Sequence, residues 1–206
     1  MKVIGFDIDG TLLDHKKRLC RLYIDFLRKK NEKPLSEERY WQLLRNGRSN
    51  REIFKRSHGG DPAYRDFLHY RNEHIEKIEY LALDRPVEGI KPALKILAKR
   101  YRLVAISLRD SRTNAFKQLR RFGLLPYFSR VVCTSYLKGY CKKRLLRKYK
   151  VELMIGDSET DILSAQACRL KTIAVTWGFR EVRFLKRLKP DALVRKPSGI
   201  LQAFKE

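Results

Sequence analysis

The sequence predicts an α/β fold, an open parallel sheet whose succession of strands and helices is interrupted once by an all-helical insertion. Two observations carry this expectation. Over most of the chain, short β-like apolar runs alternate with longer stretches at helical spacing, as parallel strands joined by helices require. From about residue 16 to residue 83 the alternation stops, no convincing strand occurs, and Leu, Tyr, Phe, Ile and Trp recur at helical spacing instead.

The strands in order are "KVIGF", "RLVAIS", "RVVCT", "LMIGD" and "TIAVTW", with "DALV" as a weaker sixth. Helices are expected near residues 88–101, 111–122, 142–150, 159–168 and 180–188. Within the insertion, breakers at "NEKPLS", "NGRSN" and "HGGDP" divide the chain into about four helices. The last of these, "RDFLHYRNEHIEKIEYLAL", runs towards "DRPVEG", where Pro86 and Gly89 mark the return to the sheet. The expected domains are therefore a core of residues 1–15 and 84–206 and a helical insertion of residues 16–83. No internal repeat is evident.

A chain of 206 residues with 43% hydrophobic and 11% aromatic content can bury one real core. No apolar stretch approaches the roughly 20 residues that span a bilayer, and "MKVIGF" meets Asp7 too soon for a secretory signal, so a cytoplasmic protein without membrane contact is expected. Cys20, Cys133, Cys141 and Cys168 form no CxxC pair and no zinc-like spacing with the four histidines, and they read as reduced structural thiols. Charge is the compositional extreme: 47 Lys+Arg against 23 Asp+Glu, a formal net charge of +24. Thermal adaptation usually raises Glu along with Lys, so it leaves the sign unexplained. A positive field concentrates anionic ligands and favours nucleic acid. The basic residues recur in "KILAKRYR", "KKRLLRKYK" and "REVRFLKRLK", and no single tail or block carries them. Separate exposed helix faces account for that pattern slightly better than a dedicated polynucleotide groove.

Residues 6–14, "FDIDGTLLD", end an apolar run on two carboxylates one residue apart. Burying a carboxylate costs several kcal/mol unless something compensates it, and two together repel each other, so such a pair points to a cation or a reaction. Residues i and i+2 of a strand point the same way, and ligands of open α/β sheets bind beyond the carboxyl ends of the strands; Asp7 and Asp9 can therefore share one pocket. An EF-hand loop is excluded, because Gly10 falls two places early and Arg18 stands where the closing Glu belongs.

"FDIDGTLLD", the "VAIS" that ends at Ser107, a basic stretch at 138–143 and "IGDSETD" follow one another in the order of the four motifs of the haloacid dehalogenase superfamily, which they resemble in its DxDGT phosphohydrolase branch. "VEGIKPALKILAKRYRLVAIS", "LLPYFSRVVCTS" and "KTIAVTWGF" resemble its phosphoglycolate-phosphatase-like group, so the similarity covers nearly the whole chain. The resemblance implies a Rossmann-like open parallel sheet core with an inserted all-helical cap subdomain. It also implies that Asp7 is a nucleophile forming an aspartyl-phosphate and that Asp9 is the acid, then the base, of the two steps. Ser107 and a lysine would hold the phosphoryl oxygens, with Thr11 on the substrate side. Asp157 ends the fourth strand and adds a third carboxylate, a set that suits hard, oxygen-ligated Mg2+. By resemblance Mg2+ is the cofactor, bound through Asp7, the backbone carbonyl of Asp9, and Asp157, while Asp161 ligates through water or orients the lysine.

Lys142, Lys143 and Lys138 compete for the third motif in that order, since Lys142 precedes Leu145 and Leu146 by three and four residues and so opens an amphipathic helix. Arg169 stands where the resembling pattern carries the glycine that ends a helix in the left-handed conformation. In the insertion, "NGRSNREIF" resembles the cap's specificity loop, which makes Arg48, with Asn50 or Arg51, a candidate for the substrate's remote group; a solvated basic turn explains it equally well. Trp41 and Tyr40 read as core of the insertion before base-stacking platforms.

Asp9 argues against dehalogenation, since an acid two places after the nucleophile serves to protonate a leaving group. The expected activity is Mg2+-dependent hydrolysis of a small phosphorylated metabolite by a monomer or homodimer. The alternatives are a nucleotide or polynucleotide phosphatase that uses the basic surface, a phosphomutase, or a non-catalytic binding protein.

Overall fold

A computed structural model of the chain describes residues 1–134 and 142–203. It forms two compact units, Met1–Asp14 with Arg85–Glu206, and His15–Asp84. Each boundary lies one residue from the one read in the sequence. Asp84 belongs with the helices because it is buried 3.2 Å from Arg18.

The first unit opens with β1 (Val3–Phe6) and a two-residue β2 (Leu13–Asp14). The helical unit holds α1 (Lys16–Lys29), α2 (Glu37–Arg45), α3 (Asn50–Ser57), α4 (Gly60–His74) and α5 (Ile78–Leu81). The chain returns through β3 (Arg85–Pro86), α6 (Ile90–Leu97), β4 (Arg102–Ser107), α7 (Arg112–Arg121), a 3-10 turn at Leu125–Tyr127 and β5 (Phe128–Cys133). It continues with α8 (Lys142–Lys148), β6 (Leu153–Gly156), α9 (Glu159–Gln166), β7 (Lys171–Val175), α10 (Val182–Arg187), β8 (Ala192–Val194) and α11 (Pro197–Gln202).

Six strands form one parallel sheet in the order β5-β4-β1-β6-β7-β8. The order reverses at β1, which is buried along its whole length, and such a reversal opens a crevice beyond the carboxyl ends of the strands. Period-two alternation divides the core between the two faces. Ile4, Phe6, Leu103 and Ala105 pack on one face with Leu94 and Leu119, and Val3, Val104 and Ile106 pack on the other with Leu146 and Ala165. The expected α/β sheet is thus present, with all six strands.

Four elements were not legible in the sequence: β2, β3, α11 and a separate α5. β2 and β3 pair antiparallel, Leu13 opposite Pro86 and Asp14 opposite Arg85, in a ribbon too short to leave a periodic signal. α11 was missed although Pro197 marks its first turn. The helix read across residues 65–83 is two helices: α4 ends at His74, and the backbone is extended at Lys77 before α5. No Pro or Gly breaks that run. The break instead follows from packing, because it allows Tyr80 and Leu81 to be buried, with the Tyr80 hydroxyl 2.9 Å from that of Tyr70 and donating to Asp25 at 3.1 Å.

The helical unit has an aromatic core. Tyr23 stacks on Tyr40 at 3.9 Å and Phe54 on Phe67 at 4.9 Å, with Phe26 against both phenylalanines. Tyr40 is therefore core, and its hydroxyl donates to Asn50 at 2.7 Å; Trp41 lies edge-on to His15 at 6.1 Å.

Arg169 closes α9 with φ 58°, the left-handed value that glycine adopts without steric cost. Its N–H donates to the Gln166 carbonyl at 2.8 Å and that of Leu170 to Ala165 at 3.0 Å. Arg169→Gly should therefore stabilise the fold by about 0.5–1 kcal/mol, raising the melting temperature by ~1–4 °C. An unchanged or lower midpoint in thermal unfolding would show that the left-handed residue carries no strain.

Candidate active site

The parallel register brings three strand ends together. Phe6 lies opposite Ala105 of β4 and Ile155 of β6, so Asp7 leaves β1 beside Asp157, which follows β6, while Ser107 is the last residue of β4. The Asp7 N–H donates to the Ile155 carbonyl at 2.9 Å and continues the ladder one step past the strand. Asp161 joins them from the first turn of α9. One carboxylate oxygen from each of Asp7, Asp157 and Asp161 lies within 4.8 Å of the others, and all three residues are buried.

Lys142, the first residue of α8, is buried and donates to Asp7 Oδ1 at 2.5 Å and to Asp161 Oδ1. The other oxygen of Asp161 accepts from the Ser158 N–H at 3.2 Å and hydroxyl at 2.7 Å, so one side chain both caps α9 and orients the lysine. Asp157 is held equally firmly: Thr11 Oγ1 donates to Oδ1 at 3.1 Å and the Phe179 N–H to Oδ2 at 2.5 Å. Gly10, at φ 85°, and Gly178 leave the room for this carboxylate, since a Cβ at either position would overlap it.

Burial and then the neighbouring carboxylates, against the opposing pull of Lys142, push Asp7 well above the usual carboxylate range. Burial and Asp161 push Asp157 up to about 7, against the Phe179 N–H, Lys142 and Thr11. Burial disfavours the Lys142 charge, but Asp161 and Asp7 outweigh it and raise the ammonium's pKa. Three carboxylates thus share one ammonium. Where all three ionise they leave two negative charges uncompensated, and a hard dication with oxygen ligands fits that excess.

A model of haloacid dehalogenase-like hydrolases matches residues 1–169, and a HAD-hydrolase-like model matches residues 142–200. The chain belongs to the haloacid dehalogenase-like hydrolase family. Phosphoglycolate phosphatase of Synechococcus elongatus is 29% identical over 98% of this chain and 97% of its own length. Pyrophosphatase PpaX of Bacillus pumilus is 24% identical over 98% and 95%. A haloacid dehalogenase-like hydrolase from Streptococcus pneumoniae has the same fold, with a TM-score of 0.83 at 19% identity over 99% of this chain and 98% of that one.

In this hydrolase Asp9 stands apart from the carboxylate cluster. Arg109 is buried and forks onto it, Nε to Oδ2 at 2.7 Å and Nη2 to Oδ1 at 2.5 Å, while Nη1 donates to Gln118 at 2.7 Å. Sequence reasoning missed Arg109; the only signal was a basic residue two places after Ser107 in "SLRD". Ser107 Oγ lies 3.5 Å from Asp9 Oδ2. Thr11, expected on the substrate side, turns its hydroxyl to Asp157 instead. Lys143 is half-buried next to Lys142, and Lys138 lies outside the described residues. In the helical unit Arg48 pairs with Glu52 at 2.9 Å and lines a cavity of about 270 Å³ with Arg39, Arg56, Leu43 and Ile53. Arg51 pairs with Asp61 at 2.9 Å, and Asn50 accepts from Tyr40.

Removing Arg109 leaves Asp9 and the Gln118 carbonyl oxygen without a shared donor. Arg109→Met should cost about 2 kcal/mol, roughly 4–8 °C in melting temperature, and Arg109→Lys should recover only part because lysine lacks the fork. Equal midpoints for the two variants in thermal unfolding would refute the bidentate role.

Proposed function

We propose that this chain is a Mg2+-dependent phosphomonoester hydrolase acting on a small phosphorylated metabolite. The observation that carries the reading is the buried set of Asp7, Asp157, Asp161 and Lys142 at the carboxyl ends of β1 and β6 in a member of this hydrolase family. Phosphatases acting on phosphoglycolate among its relatives support it, and the relatives named as pyrophosphatases place pyrophosphate among the substrates to test.

Asp7 is the nucleophile in this reading. Its carboxylate oxygen bonds to phosphorus as the ester oxygen departs, and Asp9 gives that oxygen a proton. Asp9 then takes a proton from water, whose oxygen attacks the aspartyl-phosphate and releases phosphate and free Asp7. Lys142 fixes the Asp7 carboxylate and, with Ser107, faces the charge that develops on the phosphoryl oxygens. The Arg109 fork must open for Asp9 to reach the leaving oxygen. Asp7, the carbonyl of Asp9, and Asp157 would hold Mg2+, with Asp161 acting through the lysine it bonds. When bound, the ion offsets the carboxylates and the negative charge of the phosphate. The His15–Asp84 unit is the cap in this reading, and Arg48 contacts the substrate's remote group.

Phosphate release from phosphoglycolate, pyrophosphate, sugar phosphates, nucleotides and a 3'-phosphorylated oligonucleotide tests the activity directly. Release should require Mg2+, stop with a chelator and fall at least ~1000-fold in Asp7→Asn, as loss of a covalent nucleophile demands. Release that survives this substitution would sink the mechanism, and preference for the oligonucleotide would replace the small-metabolite reading with the polynucleotide one.

Metal binding has its own readout in stability. Mg2+ at about 100 times its Kd should stabilise the protein by ~2.7 kcal/mol, and Asp157→Asn should abolish most of that shift. A midpoint equally sensitive to Mg2+ in both proteins would place the ion elsewhere.

A further inference from the structure

The amino ends of the six sheet strands lie along the edge opposite the carboxylate cluster, and every strand is entered through basic residues. Lys2 precedes β1, "KRYR" (99–102) leads into β4, and Arg120 and Arg121 end α7 ahead of β5. "KYK" (148–150) precedes β6, "RLK" (169–171) enters β7 and "KRLK" (186–189) precedes β8. Segments scattered through the sequence thus converge on one edge, because in a parallel sheet every connecting helix ends there. The basic residues in these segments are all exposed, and none is ion-paired among the described residues. Among the described residues the two acidic residues at the same edge are already engaged: Glu152 accepts from the Val3 N–H at 3.2 Å, and Asp191 accepts from the Thr172 N–H at 2.8 Å.

We propose that this edge binds the phosphate backbone of a nucleic acid without reading its sequence. Six strands about 4.8 Å apart make an edge of roughly 24 Å, the length of about seven base pairs of duplex. Favourable placement of cations at helix C-termini explains a basic residue in each last turn. It does not explain those that continue into the strands, such as Arg102 and Lys171. Arginines among them can engage phosphate bidentately. An anionic membrane fits less well, because polybasic membrane signals act together with an apolar face or acyl chain, and the exposed large hydrophobic residues at this edge among the described residues are only Met1 and Ile96, too few for such a face.

The test uses 24-base-pair DNA and RNA duplexes of arbitrary sequence, labelled for fluorescence anisotropy. Binding near 1 μM is expected at 50 mM salt, with roughly 100-fold loss at 200 mM if about four phosphates are contacted. Replacing Arg102, Arg120, Lys171 and Lys186 with Gln should weaken binding at least 10-fold and flatten the salt dependence. A control with the same net charge, in which Arg28, Lys33, Lys55 and Arg65 of the helical unit become Gln, should bind as the unmodified chain does. If the first variant misfolds by circular dichroism, Lys2, Lys99, Arg100 and Lys148 to Gln examines the same edge. Tighter binding of either duplex would identify which backbone the edge prefers and support the proposal. Equal weakening in edge and control variants, no duplex binding at 50 mM salt, or capture by phosphatidylserine vesicles without duplex binding would each overturn it.

Discussion

Three carboxylates buried around one ammonium are the interaction on which the rest of this molecule depends. A cluster of that sign has no place in an ordinary core, and its surroundings make room for it atom by atom. Gly10 and Gly178 withhold side chains where Asp157 needs space, Thr11 and the Phe179 N–H bond its oxygens, and Ser158 bonds Asp161. Lys142 then joins Asp7 to Asp161 across 135 and 19 residues of sequence, respectively. The sheet explains how contributions so distant meet: parallel neighbours end at the same level, and reversal of the order at β1 leaves their ends uncovered by connections.

The same geometry accounts for what could be read without coordinates. Strand identity was legible because buried parallel strands are short, apolar and β-branched, and Asp7 and Asp157 stood out because a carboxylate ending such a run has no cheap explanation. Arg109 was hidden for the converse reason. In a chain with 47 Lys+Arg, one more arginine after a strand carries no information, and only its burial against Asp9 and Gln118 sets it apart. The division between α4 and α5 was illegible because nothing local imposes it; Tyr80 must reach Tyr70 and Asp25, a demand visible only once α1 is placed. Asp161 shows a third situation. The sequence suggested that it ligates through water or orients the lysine; one of its oxygens bonds the lysine, and the other caps α9, a task not read in the sequence.

Charge was the feature for which sequence reasoning had least purchase, since a run of basic residues reads the same whether its neighbours in space are acidic or basic. Topology decides between them. Helices in this unit run antiparallel to the strands, so their N-termini point towards the carboxylate end and their C-termini towards the basic edge. The macrodipoles therefore favour anions at the first end and cations at the second. A ligand carrying phosphate suits the first end because Lys142, Arg109 and the helix N-termini lie there. The second end is different in kind: its cations stand on the surface and are not ion-paired among the described residues.

That difference bears on why the chain tolerates so large a net charge. Self-repulsion among exposed cations is a standing cost that grows as they are brought together, and a sequence free to vary would relieve it most cheaply by interspersing Glu and Asp along the edge. Here the two acids at the edge among the described residues are committed to backbone N–H groups, and Arg169, Lys150 and Lys189 occupy left-handed positions that glycine would fill without strain. Basic side chains are thus present even where backbone conformation disfavours any side chain. Solubility alone does not require that, since acidic residues serve it better, whereas a polyanion laid along the edge turns the repulsion into binding energy.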